Sequence, residues 1–201
     1  MIRELVLATR NLHKQQELQN LLGDLGITIL TLGDFPGAPD IEEDGKTCQE
    51  NAIKKARGIA QFTGHWALAD DTGLEVDALN GRPGVYAARY AGEHATYQDN
   101  CQKLLNEMTA VPTDQRSARF VTVMALSDPS GNVEEVEGLL AGRITQQFQG
   151  TKGFGYDPVF FVPELGQTLA ELSIEKKNEV SHRAKAFEKV KEILLRKIGH
   201  A

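Results

Sequence analysis

Cysteine and long apolar runs are both scarce in this sequence of 201 residues. The two cysteines, Cys48 and Cys101, are far apart and lack the CxxC spacing of many metal and redox sites. We therefore expect neither a disulfide scaffold nor a zinc site, and the cytoplasm, a reducing compartment, is the expected location. The opening segment MIRELVLATRN has only a short apolar stretch, which Glu4 interrupts. We expect neither a signal peptide nor a membrane span there.

An excess of positive charge is also missing. The formal net charge is −6, which argues against nucleic acid as a partner, because binding a phosphate backbone requires a basic face. A small anion is still an admissible ligand, since local lysines and a metal can outweigh a distant negative surface. Apolar residues make up 41% of the chain and charged residues 25%. This ordinary globular composition predicts one domain over residues 1–201.

Strand and helix patterns are mixed along the chain. The strand-like segments are RELVLA, ITILTL, HWALAD, GLEVDAL, ARFVTVMALSD, NVEEVEGLLAGRI and DPVFFVP. Two of them flank the turn tripeptide PSG, which predicts a long antiparallel hairpin. Segments with helical spacing of apolar residues lie among the strands. The mixture predicts an α/β or α+β fold on a mixed sheet.

Capping residues predict where three of the helices start. Asn11 precedes a segment whose leucines recur at helical spacing,. Thr47, with Glu50 three residues later, is a capping box that opens a helix running to about residue 62,. Ser181 precedes the final helix, which carries an apolar face,.

Two adjacent aspartates, Asp70 and Asp71, follow the apolar run in WALADDTGLEVDAL. The pattern predicts that a buried strand ends at these aspartates. Burying two like charges together is costly, because each raises the pKa of the other. The pair must therefore lie in a solvated turn or beside a positive charge. The carboxyl end of a strand is also where α/β sheets place ligands.

Further polar segments could bind an anion and a metal. In ATRNLHK, a strand ends and a helix begins with Lys14 in its first turn, so free backbone N–H groups and a lysine could bind phosphate,. Glu42, Glu43 and Asp44 lie in a long acidic loop, and Mg²⁺ typically takes one or two carboxylates together with substrate phosphates,. A capped surface helix and a solvated acidic loop are the alternatives.

Two segments in the last third could bind a flat ring or an anion. GTKGFGYDP places glycines around Phe154 and Tyr156, which either stack on a ligand ring or pack into the core of a tight turn,. In EKKNEVSHRAKAF, His182 and Arg183 occupy the first turn of a helix, where cations are unfavourable without a nearby anion or acceptor,. A charged helix start with a surface histidine is the alternative.

Together, the order and spacing of these motifs resemble one enzyme family. T-x-N-x-x-K at Thr9 to Lys14 is followed by E-N-A, ADDTGL, GRPGVYAARYAG, GFGYDPVF and SHRAKA. This set resembles the noncanonical purine nucleoside triphosphate pyrophosphatases from about residue 5 to 195. The resemblance implies a two-lobed α/β protein on a long central mixed β-sheet with flanking helices, and a homodimer. Its cleft would bind a purine nucleoside triphosphate and Mg²⁺, and it would cleave ITP, dITP and XTP to the monophosphate and pyrophosphate.

The resemblance also implies roles for individual residues. Asp71 would accept a proton and ligate the metal with Glu42 as the second carboxylate, although Glu43 is an equal choice by position. Lys14 and Lys55 would neutralise the phosphates. The substrate-binding residues would be Thr9, Arg10, Asn11, Leu12, His13, Lys14, Thr72, Phe154, Gly155, Tyr156, Asp157, Lys177, His182 and Arg183, of which the last three recognise the base. Hydrolysis of another nucleotide class and a nucleotide sensor without turnover are the competing hypotheses.

Overall fold

The computed structural model describes residues 2–23 and 25–199 of the chain. Its five helices are α1 (Leu12–Leu22), α2 (Cys48–Thr63), α3 (Tyr97–Glu107), α4 (Ile174–Val180) and α5 (His182–Gly199). Its eight strands are β1 (Glu4–Leu7), β2 (Thr28–Thr31), β3 (Trp66–Val76), β4 (Pro83–Gly84), β5 (Ser117–Ser127), β6 (Val133–Ile144), β7 (Phe160–Val162) and β8 (Gln167–Thr168). None of the described helices is both long and apolar enough to cross a membrane.

The strands form one mixed sheet in the order β2-β1-β3-β5-β6-β7-β8, and β4 pairs with β3. β1 is parallel to both β2 and β3, whereas β3–β4, β6–β7 and β7–β8 are antiparallel. The predicted α/β fold on a long central mixed sheet with helices is confirmed. The predicted hairpin is present as β5 and β6, which are neighbours in the sheet.

The chain forms two compact units. Unit 1 comprises residues 1–71, 122–138 and 183–201, as far as they are described. Alternation along its strands produces two buried layers, because successive side chains point to opposite faces of a sheet. Leu5 and Leu7 of β1 join a cluster with side chains of α1 and α5, and Val6 joins a second cluster with side chains of α2, such as Ile59. Helices therefore cover both faces of the sheet in unit 1.

Unit 2 comprises residues 72–121 and 139–182. Its core joins Leu104 of α3 with Phe120 of β5 and Phe160 of β7, and the two phenylalanine rings lie 4.5 Å apart between centroids. Arg116 is buried beside this core, and its guanidinium donates to the carbonyls of Met108 and three other residues.

The aspartate pair lies in the interior of a strand, so the prediction that a strand ends there was wrong. β3 continues without a break from Trp66 to Val76. Its pairing with β1 nevertheless stops at Leu68, and the N–H of Ala8 donates to the Leu68 carbonyl. The aspartates thus follow the last residue of β3 that β1 pairs with, so the end of the neighbouring strand, rather than the end of β3, marks their position.

The predicted helix starts agree with the structure, with differences of detail. Asn11 caps α1, and the Thr47 hydroxyl accepts from the Glu50 N–H at the start of α2. The Glu50 carboxylate accepts from the Lys46 N–H at 2.6 Å rather than from Thr47, so this start differs from the predicted capping box. The short helix α4, capped by Ser173, was missing from the prediction.

Candidate active site

Asp70 lies at the centre of a buried charge cluster in unit 1. Its side chain is fully buried, and its Oδ2 atom is 3.0 Å from Lys14 Nζ and 3.2 Å from Arg183 Nε. Burial by itself would raise the pKa of Asp70, but Lys14, Arg183 and Lys55 outweigh it and hold that pKa well below its usual range,. Asp70 is therefore an ionised carboxylate that binds two cations.

Asp71 has a different environment, although it is the next residue. Its Oδ1 atom is 3.6 Å from Lys55 Nζ, and its Oδ2 atom accepts from the Asn51 side-chain amide at 3.1 Å. Burial raises the pKa of Asp71, and Lys55 and Lys14 oppose that rise only in part. Of the two aspartates, Asp71 is the more basic and the better suited to take a proton. Neighbouring cations, rather than a solvated turn, explain the aspartate pair.

Lys55 connects the acidic loop to the aspartates. It lies on α2, is 7% exposed, and its Nζ atom contacts Glu43 Oε1 at 2.9 Å and the Asp70 carbonyl at 2.8 Å. Burial by itself would lower the pKa of Lys55, but Asp71, Glu43 and Asp70 together raise that pKa by more than burial lowers it. The ammonium group therefore stays charged. The structure places Glu43 in this cluster, whereas Glu42 is exposed.

The turn before α1 holds Lys14 in place by capping. The Asn11 Oδ1 atom accepts from the N–H groups of His13 at 3.0 Å and Lys14 at 3.3 Å. Two of the N–H groups that the sequence offered for phosphate are therefore bonded to Asn11. Arg10 is exposed and donates to the Ala38 carbonyl, and Leu12 is 75% exposed. Thr9 orders the turn, because its hydroxyl accepts from the Asn11 N–H.

Oxygen atoms that suit a hard metal ion are present, although no group of three or more His, Cys, Asp or Glu that could hold a metal ion occurs among the described residues. The Oδ1 atom of Asp70 is buried and has no hydrogen-bond partner in residues 2–23 and 25–199. The carboxylates of Asp71 and Glu43 both contact Lys55. Mg²⁺ needs only one or two protein carboxylates when phosphates and water supply its other ligands. This donor set fits magnesium.

A second cluster, in unit 2, joins an ion pair to aromatic rings. Lys177 of α4 is 2.6 Å from Asp157 Oδ2, and both side chains are buried. The same Asp157 oxygen accepts from the Phe154 N–H at 2.9 Å. Lys177 Nζ lies 4.7 Å from the centre of the Phe154 ring. The centres of the Tyr97 and Phe154 rings are 5.9 Å apart. Phe154 is half-buried, so the cluster presents an aromatic ring beside a lysine.

Two aromatic residues expected near the base pack inside unit 2. Tyr156 is buried, and its hydroxyl donates to the Ala87 carbonyl at 2.8 Å. His182 is 3% exposed and stacks on Phe120, with 4.4 Å between ring centroids and 19° between ring planes. The burial of Tyr156 agrees with the alternative in which this residue packs into the core of a tight turn. Thr72 is half-buried in β3.

His182 and Arg183 are consecutive in sequence but belong to different units. Arg183 lies in unit 1, where it contacts Asp70 and Glu17. Lys177, the other cation of the base-recognition hypothesis, lies in unit 2. Sequence reasoning missed Glu17, Asn51 and Tyr97. Glu17 had one available signal, because it follows Lys14 by three residues and helical spacing places both on one face.

Comparison with known proteins finds close relatives of this chain. The model of the Ham1 family matches residues 5–193. The dITP/XTP pyrophosphatase of Desulforamulus reducens is 52% identical over 98% of this chain and 98% of its own length. The dITP/XTP pyrophosphatase of Geobacter sulfurreducens is 52% identical over 94% of this chain and 96% of its own. A HAM1 protein structure from Coxiella burnetii is 44% identical, with a TM-score of 0.89 and coverage of 98% of this chain and 100% of that one.

Proposed function

The chain belongs to the Ham1 family, and from this membership we infer that it hydrolyses noncanonical purine nucleoside triphosphates, namely ITP, dITP and XTP. The products are the nucleoside monophosphate and pyrophosphate. Support comes from the dITP/XTP pyrophosphatases that align with nearly the whole chain at about half identity. One observation connects this function to particular residues: the buried carboxylate of Asp71, whose pKa is raised, contacts both Lys55 and Asn51.

The unit 1 cluster is the proposed site of the triphosphate. A water oxygen attacks the α-phosphorus, the bond from that phosphorus to the β-phosphate oxygen breaks, and pyrophosphate leaves. Asp71 orients the water and accepts its proton, a role that its raised pKa favours,. Lys14 and Lys55 neutralise the charge that develops on pyrophosphate. Positioning and electrostatics of this kind supply most of the catalysis of phosphoryl transfer.

We propose that Asp71 and Glu43 hold Mg²⁺ in this cluster. Glu43 is preferred over Glu42 because it contacts Lys55, whereas Glu42 is exposed. Bound Mg²⁺ supplies positive charge next to the phosphate oxygens. Lys14 and Lys55 would add their own positive charge for the phosphates. Asp70, already bound to two cations, acts as a supporting carboxylate.

The unit 2 cluster is the proposed site of the base. Phe154 offers a face on which a purine can stack, and Lys177 offers a donor to the 6-oxo oxygen of hypoxanthine or xanthine,. Adenine carries a 6-amino donor at that position, so a donor of Lys177 would face a second donor instead of an acceptor in a buried place. An unpaired buried donor can cost orders of magnitude in specificity. Asp157 orients Phe154 and Lys177, because its Oδ2 atom accepts from the Phe154 N–H and from the Lys177 ammonium.

Analysis of the phosphate products tests this function. ITP, XTP, dITP, GTP and ATP are incubated with the protein, with Mg²⁺ and with a chelator. We expect metal-dependent pyrophosphate from ITP, XTP and dITP. We expect little release from ATP, which has a 6-amino group, and from GTP, which shares the 6-oxo group but carries a 2-amino group. Cleavage of modified pyrimidine triphosphates instead would assign another substrate class. Tight nucleotide binding without any product would make the protein a sensor and contradict the enzyme.

Replacing Lys177 by alanine is expected to reduce the preference for ITP over ATP by about tenfold or more, because the variant lacks the donor that distinguishes the 6-oxo group. The measurement is the ratio of kcat/KM for the two substrates. Lys176→Ala is the matched control, since Lys176 forms an exposed ion pair with Glu179 and should leave the ratio unchanged. Equal losses on ITP and ATP in Lys177→Ala would show that this residue does not read the base.

Two further features complete the proposal. Cys48 and Cys101 are free thiols, which supports the cytoplasm as the compartment. A homodimer is proposed from the family resemblance, and light scattering at several concentrations would measure it. No nucleic acid or membrane partner is proposed.

A further inference from the structure

Glu17 contacts the charge cluster of unit 1 from outside the residues assigned to substrate or metal. It lies on α1 and accepts from Arg183 Nη1. Arg183, through its Nε atom, donates to Asp70 Oδ2 at 3.2 Å. Lys14 Nζ is 3.0 Å from that same oxygen. Four side chains of alternating charge therefore form one continuous chain of contacts, from Glu17 through Arg183 and Asp70 to Lys14.

Burial makes this chain of contacts strong. The side chains of Arg183 and Asp70 are 2% and 0% exposed, and those at the two ends, Glu17 and Lys14, are 14% and 15% exposed. Charges held away from water interact in a lower effective dielectric, so each partner strongly affects the position of the next. The pKa of Arg183 reflects this: burial would lower it, but Asp70 and Glu17 raise it above its usual value.

Lys14 and Arg183 share a single oxygen, Asp70 Oδ2. With Glu17 present, the guanidinium divides its charge between two carboxylates. Without the Glu17 charge, Arg183 would be drawn towards the Asp70 carboxylate, which would weaken the attraction of that carboxylate for the Lys14 ammonium. Glu17 bonds to Arg183 and Lys14 bonds to Asp70. A change at Glu17 would therefore reach Lys14 through the two residues between them.

We propose that Glu17 is a positioning residue for Lys14, acting through Arg183 and Asp70. The proposal rests on the proposed function, in which Lys14 neutralises the leaving pyrophosphate. In this proposal, Arg183 transmits the effect of Glu17 to Asp70. Because Lys14 acts on charge that develops during the reaction, loss of Glu17 should lower kcat more than it raises KM. The ITP-over-ATP preference should stay unchanged, since Lys177 and Phe154 are unaltered.

A double-mutant cycle in the full-length protein tests this proposal. The variants are Glu17→Gln, Lys14→Ala and the pair of changes together, assayed for pyrophosphate release from ITP and ATP. We expect Glu17→Gln to lower kcat/KM for ITP by about tenfold when Lys14 is present, but by less than about twofold in Lys14→Ala, because residues acting through one another are not additive. Glu134→Gln is the control, since Glu134 forms an ion pair with Lys197 in which the side chains are 42% and 37% exposed.

Thermal unfolding is measured on every variant to separate positioning from stability. An equal fractional loss of activity in both backgrounds, or a lower melting temperature with unchanged kcat, would overturn the positioning role. A change in the ITP-to-ATP ratio would show that Glu17 and Arg183 act on the base rather than on Lys14, and would also overturn the proposal. If Glu17→Gln does not fold, Glu17→Asp takes its place in the same cycle, because it keeps the charge but is one methylene too short. If the wild-type protein releases no pyrophosphate from ITP, XTP or dITP, the proposed function itself fails.

Discussion

Asp71→Asn is expected to lower kcat by about a hundredfold to ten-thousandfold, while the protein stays folded and still binds ITP. The carboxamide has nearly the shape of the carboxylate but cannot accept a proton from water. The Asn51 amide, which donates to Asp71 Oδ2 at 3.1 Å, can donate equally to the oxygen of the new side chain. The measurements are pyrophosphate release and calorimetric affinity for ITP. Near wild-type turnover would exclude Asp71 as the base.

The same variant should be at least as stable as the wild type at neutral pH. Burial raises the pKa of Asp71 above its usual value, so the folded state binds this proton more tightly than the unfolded state does. The ionised form is therefore held at a cost to folding when the pH is above the folded-state pKa, and the cost disappears as the pH falls through it. A neutral asparagine avoids that cost. A melting temperature clearly below that of the wild type would contradict this account.

Local signals in the sequence predicted the fold well. Asn11 and Thr47 are caps in the structure as in the prediction, because a cap depends on side chains within three residues of it. The hairpin of β5 and β6 follows from alternation and a turn, which are equally local. The short helix α4 was missed, since its seven residues carry charges on most positions and little apolar periodicity.

The end of a strand is a different kind of property. Asp70 and Asp71 were expected at a strand terminus because polar residues followed an apolar run. β3 continues through them, and they lie beyond the end of its neighbour β1 at Leu7. That end depends on pairing between segments about sixty residues apart. No pattern within one segment contains that information.

The site shows the same division between local and distant information. The clustering of Lys14 and Lys55 around the aspartates agrees with the residues that the motifs selected. The partners of Arg183 could not be read from its motif, because Asp70 and Glu17 come from β3 and α1. Sequence order placed Arg183 beside His182, but successive residues of a helix point in directions about 100° apart. The side chains of His182 and Arg183 therefore belong to two different units.

Asp70, the neighbour of the proposed base Asp71, should respond to the same substitution with a loss of stability. Asp70→Asn is expected to reduce the free energy of unfolding by about 3–5 kcal/mol, the usual cost of removing one partner from a buried ion pair. Lys14 and Arg183 would both keep their charge in a site where Arg183 is 2% exposed, and the carboxylate that they share would be gone. Denaturant unfolding at neutral pH measures the loss.

Asp44→Asn is the matched control for this experiment. Asp44 contacts Lys54 at 2.6 Å, but the two side chains are 58% and 44% exposed. Removing an exposed ion pair costs about 1 kcal/mol or less, because water and salt replace the lost partner. The same substitution should therefore give very different losses at the two positions. Equal losses would show that burial of Asp70 does not determine its contribution.

The wild type and Asp70→Asn should differ in free energy of unfolding by an amount that depends on pH, and this dependence tests whether the ionised form of Asp70 is the stabilising one. Lys14, Arg183 and Lys55 hold the pKa of Asp70 below its usual value against the effect of burial, so the folded state releases this proton more readily than the unfolded state. The stabilisation by Asp70 is complete above the unfolded-state pKa and is lost as the pH falls towards the folded-state pKa. The stability difference between the two proteins should be constant near neutrality and shrink on acidification. A difference that instead grows on acidification would mean that Asp70 is held protonated, and the alternating charges of unit 1 would then have to be assigned anew.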